Sequence, residues 1–434
     1  MKQIVIIFIF LISSVSLFPQ RQLSLDEAVK IALKNNIQIQ KINNGLVSVE
    51  SNVKAALGEL LPSVNGNVGW NWSRTENKNF PAVDGGRFNA GVNSNWVLYD
   101  GLANYSNLRS KYNDYESALL DIKKIKQDIV FQTISSYYDL IYLRKLMKVR
   151  EDDLAWNKKN LEIITERNKL GSVTLADVYQ QQVKVGTAEL ELLRASNNFE
   201  NSKSAFLYYL GLDVLENYEL SDPTESGDSI VVIEEFNVES LRSMIEAAFN
   251  KRPDYLSAKI GLLNAEEQMT INKAGHLPVL SNSISFGTSS NEVGSLFNDR
   301  QYSFGLTLSI PIFSGWSVEN RIQIAEVNKR NKELELRDLE KVITKEMQKT
   351  YLDMVTAQKG LEVSRKNVFA STENRRIEEE KYSLGSTTLL NVLIANSEYT
   401  NAVSSYISAR VSYLKYKEEL DYRIGSINFE KYEN

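Results

Sequence analysis

The stretch Lys169-Leu170-Gly171-Ser172-Val173-Thr174-Leu175-Ala176-Asp177-Val178 separates two long helical patterns. A near copy, Tyr382-Ser383-Leu384-Gly385-Ser386-Thr387-Thr388-Leu389-Leu390-Asn391-Val392, does the same 214 residues later, counted from Gly171 to Gly385. Each copy reads as the tight tip of a helical hairpin. Gly171 and Gly385 suit the left-handed residue that ends a helix, because glycine has no Cβ to clash at positive φ. Thr174 and Thr388 suit the N-cap of the returning helix, whose first N–H groups need a side-chain acceptor. Two such tips, alike in detail and far apart, indicate a duplicated architecture.

Working outward from the first tip, the helical period runs back without Pro or Gly to about residue 102. That is roughly 100 Å of helix at 1.5 Å per residue. No globular domain buries such a helix along its length, so it belongs to a coiled coil or elongated bundle. Tyr105, Leu108, Tyr112, Tyr115, Leu119 and Ile122 step by three and four along it. Past the tip, Val178, Val185, Leu192, Phe199 and Phe206 recur every seventh residue, so the return helix packs back along the first.

Upstream, Ser24–Leu61 reads as helix, with Ser24 as N-cap and Glu27 completing a capping-box pattern. Pro62 stops it, and the period changes to two. Val64, Gly66, Val68, Trp70 and Trp72 alternate with Asn65, Asn67, Gly69, Asn71 and Ser73. After a loop at 74–87, Phe88, Ala90, Val92, Trp96 and Leu98 alternate with Asn89, Gly91, Asn93 and Asn95. The polar face carries Asn, Ser and Gly rather than the Lys and Glu usual on a soluble sheet. Apolar-out, small-polar-in strands of about ten residues are what an outer-membrane barrel requires. Trp70, Trp72, Trp96 and Trp316 lie in or beside strands, as interface anchors do.

The second half repeats the first. Ser240-Leu241 is expected to begin a helix in register with Ser24-Leu25, and Pro278 matches Pro62. Leu280, Ile284 and Phe286 alternate with Ser281, Ser283, Ser285 and Gly287; Tyr302, Phe304, Leu306, Leu308 and Ile310 alternate with Ser303, Gly305, Thr307 and Ser309. A long helix with a seam at Leu336, Leu339 and Ile343 leads to the second tip. The last helix then carries Val392, Tyr399, Tyr406, Tyr413 and Leu420 at intervals of seven. The expected organisation is a signal peptide at 1–20, a first repeat at 21–211 (hairpin 62–98, helical hairpin 102–211), and a connector at 212–239. A second repeat at 240–425 (hairpin 278–312, helical hairpin 317–425) and a tail at 426–434 follow. In the connector, Ile230–Ile233 is the candidate for one short edge strand.

Composition narrows the function. The chain of 434 residues is 43% hydrophobic and 24% charged, with a net charge of −5 that offers no basic footprint for nucleic acid. There is no cysteine and one histidine, His276, so disulfides, thiol nucleophiles and zinc–thiolate sites are excluded. His276, just before Pro278, is expected to pack at a helix–strand junction. No nucleophile, metal cluster or phosphate loop points to an enzyme, and no cofactor is expected. The segment 4–12 is an apolar signal core too short to span a bilayer.

Both β-hairpins begin and end on their helices, so all helices leave one side of the sheet. Long loops of bacterial barrels face outward, which puts the helices in the periplasm. Four strands cannot close around a lumen, and an open edge in lipid costs several kcal/mol per unpaired group. Two, three or four chains sharing a barrel would supply 8, 12 or 16 strands, all feasible. A periplasmic structural coiled coil is the alternative, and it leaves the four lipid-patterned strands unexplained.

At this point the chain resembles the TolC family of outer-membrane efflux and secretion channels. The resemblance rests on Leu60-Leu61-Pro62-Ser63, on Ile310-Pro311-Ile312-Phe313-Ser314-Gly315, and on the order and duplication of the two tips. It implies an α+β membrane protein: a homotrimer whose single 12-stranded β-barrel in outer-membrane lipid continues into a periplasmic α-helical barrel. It implies passive conduction for a periplasmic adaptor and an inner-membrane transporter of the RND or ABC type. Through it, Leu170, Gly171, Ser172, Val173, Thr174, Leu384, Gly385, Ser386, Thr387 and Thr388 match the adaptor-docking tips. Asp177 and Tyr382 match residues that link helices at the closed entrance. The resemblance's basic partner is replaced by Thr387, and its acidic entrance ring by Asn391 and Ile394, so the chain is expected to lack that ring.

Overall fold

The computed structural model describes residues 21–77, 80–223 and 237–432. The expected signal peptide and the Ile230–Ile233 strand lie outside the described residues. Each half contributes two upper helices, a β-hairpin and a long helical hairpin.

The chain starts with β1 (Arg21–Leu23), α1 (Leu25–Asn35) and α2 (Ile37–Gly58). The Ser24 hydroxyl accepts from the Glu27 N–H, as the sequence suggests. The single helix expected over Ser24–Leu61 is nevertheless two. At Asn36 the backbone turns extended (φ −64°, ψ 123°), and its side chain caps α2 by accepting from the Gln38 N–H at 2.8 Å. Asparagine competes with the helix it interrupts and favours the cap. The second half breaks 216 residues later, at Arg252, because the following Pro253 disfavours the helical region for its predecessor.

Next come β2 (Ser63–Asn77), β3 (Phe80–Tyr99), α3 (Ala103–Lys169), α4 (Leu175–Tyr209) and β4 (Tyr218–Leu220). The expected loop at 74–87 is therefore mostly strand. The connector's described strand is β4, which pairs in parallel with β1, Leu23 opposite Leu220. The second half supplies α5 (Val238–Lys251), α6 (Pro253–Lys273), β5 (Val279–Ser290), β6 (Arg300–Ser309), α7 (Ser317–Ser383) and α8 (Leu389–Ile424). α5 starts before the expected Ser240, because the Asn237 side chain accepts from the Glu239 N–H at 2.8 Å and caps it there.

The four hairpin strands form one antiparallel sheet in the order β2-β3-β5-β6. Its register gives each face one character. Gly66, Val92, Phe286 and Tyr302 lie across one row, and Val64, Ser94, Ile284 and Phe304 across the next. On the opposite face, Asn65, Asn93, Ser285 and Ser303 are aligned, as are Asn67, Gly91, Gly287 and Gln301. Glycines on the polar face admit their neighbours: a Cβ on Gly91 would sit 2.9 Å from the Phe286 carbonyl.

α3 and α7 have 67 residues each, about 100 Å long at 1.5 Å per residue. Both follow a pair of left-handed residues, Gly101-Leu102 and Gly315-Trp316, which turns the chain from sheet to helix. The largest core lies around the middle of α3, where Tyr137, Leu140 and Ile141 pack with Leu23, Leu207, Leu210 and Leu414. The Tyr137 hydroxyl reaches the carbonyls of Leu23 and Ser221 at 2.8 and 2.6 Å, tying the parallel strand pair to α3. The sequence seam on α3 is only partly internal. Leu108 and Ile122 are buried, but Tyr105, Tyr112 and Leu119 are exposed on the single chain. Among the described residues no helix is long and apolar enough to cross a membrane.

Candidate functional site: the hairpin tips

Both tips close by the same backbone device. In the first, the Ser172 N–H donates to the Arg167 carbonyl and the Gly171 N–H to the Asn168 carbonyl, each at 2.9 Å. In the second, Ser386 donates to Lys381 at 2.9 Å and Gly385 to Tyr382 at 3.2 Å. This is the Schellman pattern, and it requires the left-handed residue between. Gly171 and Gly385 supply it at φ +73° and +74°. Leu170 and Leu384 project outward, 81% and 82% exposed, although each is a large aliphatic group. Ser172 and Ser386 are exposed beside them, whereas Val173 and Thr387 are half-buried.

The two tips diverge at their returning helices. Thr174 and Asp177 form a complete capping box. The Thr174 hydroxyl accepts from the Asp177 N–H at 3.3 Å, and the Asp177 carboxylate accepts from the Thr174 N–H at 3.0 Å. Thr388 holds the equivalent N-cap position, but its side chain makes no capping bond. Thr387 is the residue engaged instead. Its hydroxyl donates to Glu378 at 2.9 Å and accepts from Asn391 Nδ2 at 2.9 Å. Asn391 and Ile394 are exposed on α8.

Tyr382 lies between the hairpins. A small apolar cluster of Ile164, Val178, Leu389 and Leu393 joins the two tips, and Tyr382, Trp156 and Val173 pack against it. The Arg167 guanidinium stands 5.0 Å from the Tyr382 ring centre and donates to the Tyr382 carbonyl at 3.3 Å. The Tyr382 hydroxyl is buried without a hydrogen-bond partner. Burial pushes that hydroxyl's pKa up, with Arg167 opposing and the Asp177 charge adding to the rise. Asp177 and Tyr382, both matched to link positions by the resemblance, make no direct hydrogen bond: the Asp177 carboxylate accepts from Thr174 of its own capping box.

Sequence reasoning missed three participants. Arg167 is one. The others are Trp156, whose indole N–H donates to Glu379 at 2.8 Å, and Asp153, which accepts from Asn396 and Thr400. A signal was available for one of them: Trp156 is the only tryptophan far from the strands. His276 ends the short 3-10 turn Ala274–His276 that follows α6, its Nε2 3.9 Å from a Glu319 carboxylate oxygen, and among the described residues no metal-ligating cluster occurs.

A family model described as outer membrane efflux protein matches residues 28–212 and 244–426, one match per repeat. Outer membrane protein TolC of Salmonella enteritidis is 21% identical over 312 residues, covering 70% of this chain; the chain spans 62% of that relative's length. Protein CyaE of Bordetella pertussis is 22% identical, with 89% of this chain and 80% of the relative covered. Among solved structures, CusC superposes with a TM-score of 0.85 at 15% identity, over 93% of this chain and 92% of that one.

Proposed function

The chain belongs to the outer membrane efflux protein family, and from that premise we propose that three copies form one passive conduit across the outer membrane. The observation that carries this reading is the sheet. Its four strands present one apolar and one polar face with both edges open, on the end of two helical hairpins about 100 Å long. In lipid those edges must pair. Three copies make a 12-stranded barrel, large enough for an aqueous lumen lined by the Asn and Ser face. The exposed apolar face meets lipid, and the helices continue the conduit into the periplasm.

Energy comes from elsewhere. A periplasmic adaptor docks on the exposed tips at Leu170–Thr174 and Leu384–Thr388, and an inner-membrane transporter delivers the cargo. Asp177, Tyr382, Asn391 and Ile394 line the entrance near those tips, where Tyr382 and Arg167 hold the two hairpins together. The entrance carries less negative charge than the resemblance implies, because Asn391 and Ile394 are neutral. Membrane extraction tests the conduit directly. The protein is expected to stay with membranes in alkaline carbonate and to give stepwise conductance in planar bilayers. Release by carbonate without detergent would overturn the reading in favour of a periplasmic coiled coil.

A further inference from the structure

The seam between the two helical hairpins is apolar at both ends and polar in between. Its upper part belongs to the large core, to which Met147 of α3, Leu361 of α7 and Tyr406 of α8 are the lowest contributors. Its lower part is the tip cluster around Ile164 and Leu393. Between them α3 carries Asp153. One oxygen of this carboxylate accepts from Asn396 Nδ2 at 2.8 Å and from the Thr400 hydroxyl at 3.2 Å. The other end of the same carboxamide, Asn396 Oδ1, accepts from Arg375 of α7 at 3.3 Å. The Arg375 guanidinium lies over α8, 3.8 Å from the centre of the Tyr399 ring. Asn396 and Thr400 are both buried.

A single carboxamide therefore joins an acid on α3 to a base on α7, donating to one and accepting from the other. A carboxamide can do both at once; an aliphatic side chain can do neither. Buried polar residues in an apolar helical seam fix axial register and cost some stability in doing so. The neighbours of Asn396 show what is at stake. One turn toward the tip, Val392 and Leu393 are buried. A one-turn slip of α8 away from the tip would bring those side chains against the Asp153 carboxylate, and a slip toward the tip would put Asn396 in their apolar place. Apolar contact alone does not forbid the slip, because Leu389, Val392, Leu393 and Asn396 recur at three- and four-residue spacings.

We propose that the Asp153–Asn396–Arg375 relay is a register pin that sets the axial height of the second tip relative to the first. Asn396 is its positioning residue. The pin is a property of one protomer; its consequence for docking, a composite surface with both tips level, rests on the conduit reading above.

The cysteine-free chain allows a direct test. Cysteines placed at Ser172 and Ser386, both exposed, carry spin labels, and labelled protein is diluted into unlabelled protein so that distances within one protomer dominate. The parent is expected to give one narrow tip-to-tip distribution. Asn396→Leu unties both charged partners and is expected to broaden or split it, with components up to about 5.4 Å apart, one helical turn. Asn396→Asp sets two carboxylates in contact and should broaden it too. Adding Asp153→Asn to that variant restores a donor toward the new acid and should narrow the distribution again. Unchanged narrow distributions in both single variants overturn the pin, and so does a double variant no narrower than Asn396→Asp. None of these distances depends on export. Failure of the conduit reading would show separately, as absent conductance with the distance changes intact.

Discussion

Replacing Gly171 and Gly385 together by Trp separates what the tips do from how they are folded. Each glycine sits at positive φ, where a side chain costs roughly 1–2 kcal/mol. The pair therefore strains a protomer by about 2–4 kcal/mol. The strain stays local, because a Cβ built on either glycine meets nothing within 4 Å and no core side chain must move. The indoles then stand in solvent beside Leu170 and Leu384, over the surface proposed to receive the adaptor. The double Gly→Ala variant carries the same backbone strain without the bulk. Export is measured in cells alongside the amount of assembled trimer in membranes. The Trp pair is expected to abolish export with trimers retained, and the Ala pair to keep most of it. Normal export by the Trp pair would refute docking at the tips. Equal loss in the Ala pair would refute occlusion as the cause.

Three further outcomes follow from particular contacts. Asp177→Ala removes the acidic half of a capping box, worth about 1 kcal/mol, and should raise single-channel conductance of the closed state; an unchanged conductance removes Asp177 from the gate. Tyr137→Phe removes the hydroxyl that bridges the carbonyls of Leu23 and Ser221, of which Leu23's keeps the Ser221 N–H, and should cost about 1–3 kcal/mol in denaturant unfolding. Burial pushes the Asp254 carboxyl up, but the hydrogen bond and charge of Arg252 outweigh it and hold the group below the ordinary carboxylate range. The unfolded chain therefore binds this proton more readily than the fold does, and the stabilisation, present at neutral pH, fades as acid titrates the folded carboxylate. The difference in thermal midpoint between the parent and Asp254→Asn should accordingly shrink as pH is lowered; a constant difference would rule the linkage out.

Much of this protein is legible without coordinates because its signals are periodic and occur twice. A change from period 3.6 to period 2 and back marks helix, hairpin and helix in each half. The Gly171 and Gly385 signals mark backbone geometry that few residues but glycine adopt cheaply. What was misjudged is local competition. Asn36 and Asn237 cap helices where periodicity alone sees continuous or later-starting ones, since a short polar side chain can outbid one more helical turn.

The sequence by itself determined the order of the β-hairpins and long helices, the duplication, the two faces of the four hairpin strands and the two left-handed glycines. Each of these depends on neighbours along the chain. Only the tertiary structure decided the rest. It placed β1 beside β4, gave Thr387 rather than Thr388 the working hydroxyl, and set Arg167 over Tyr382. It also brought Asp153, Asn396 and Arg375 from three helices into one relay. Such contacts join residues as much as 243 positions apart, and no local pattern encodes which faces of two long helices meet. That is settled by the packing of the whole bundle.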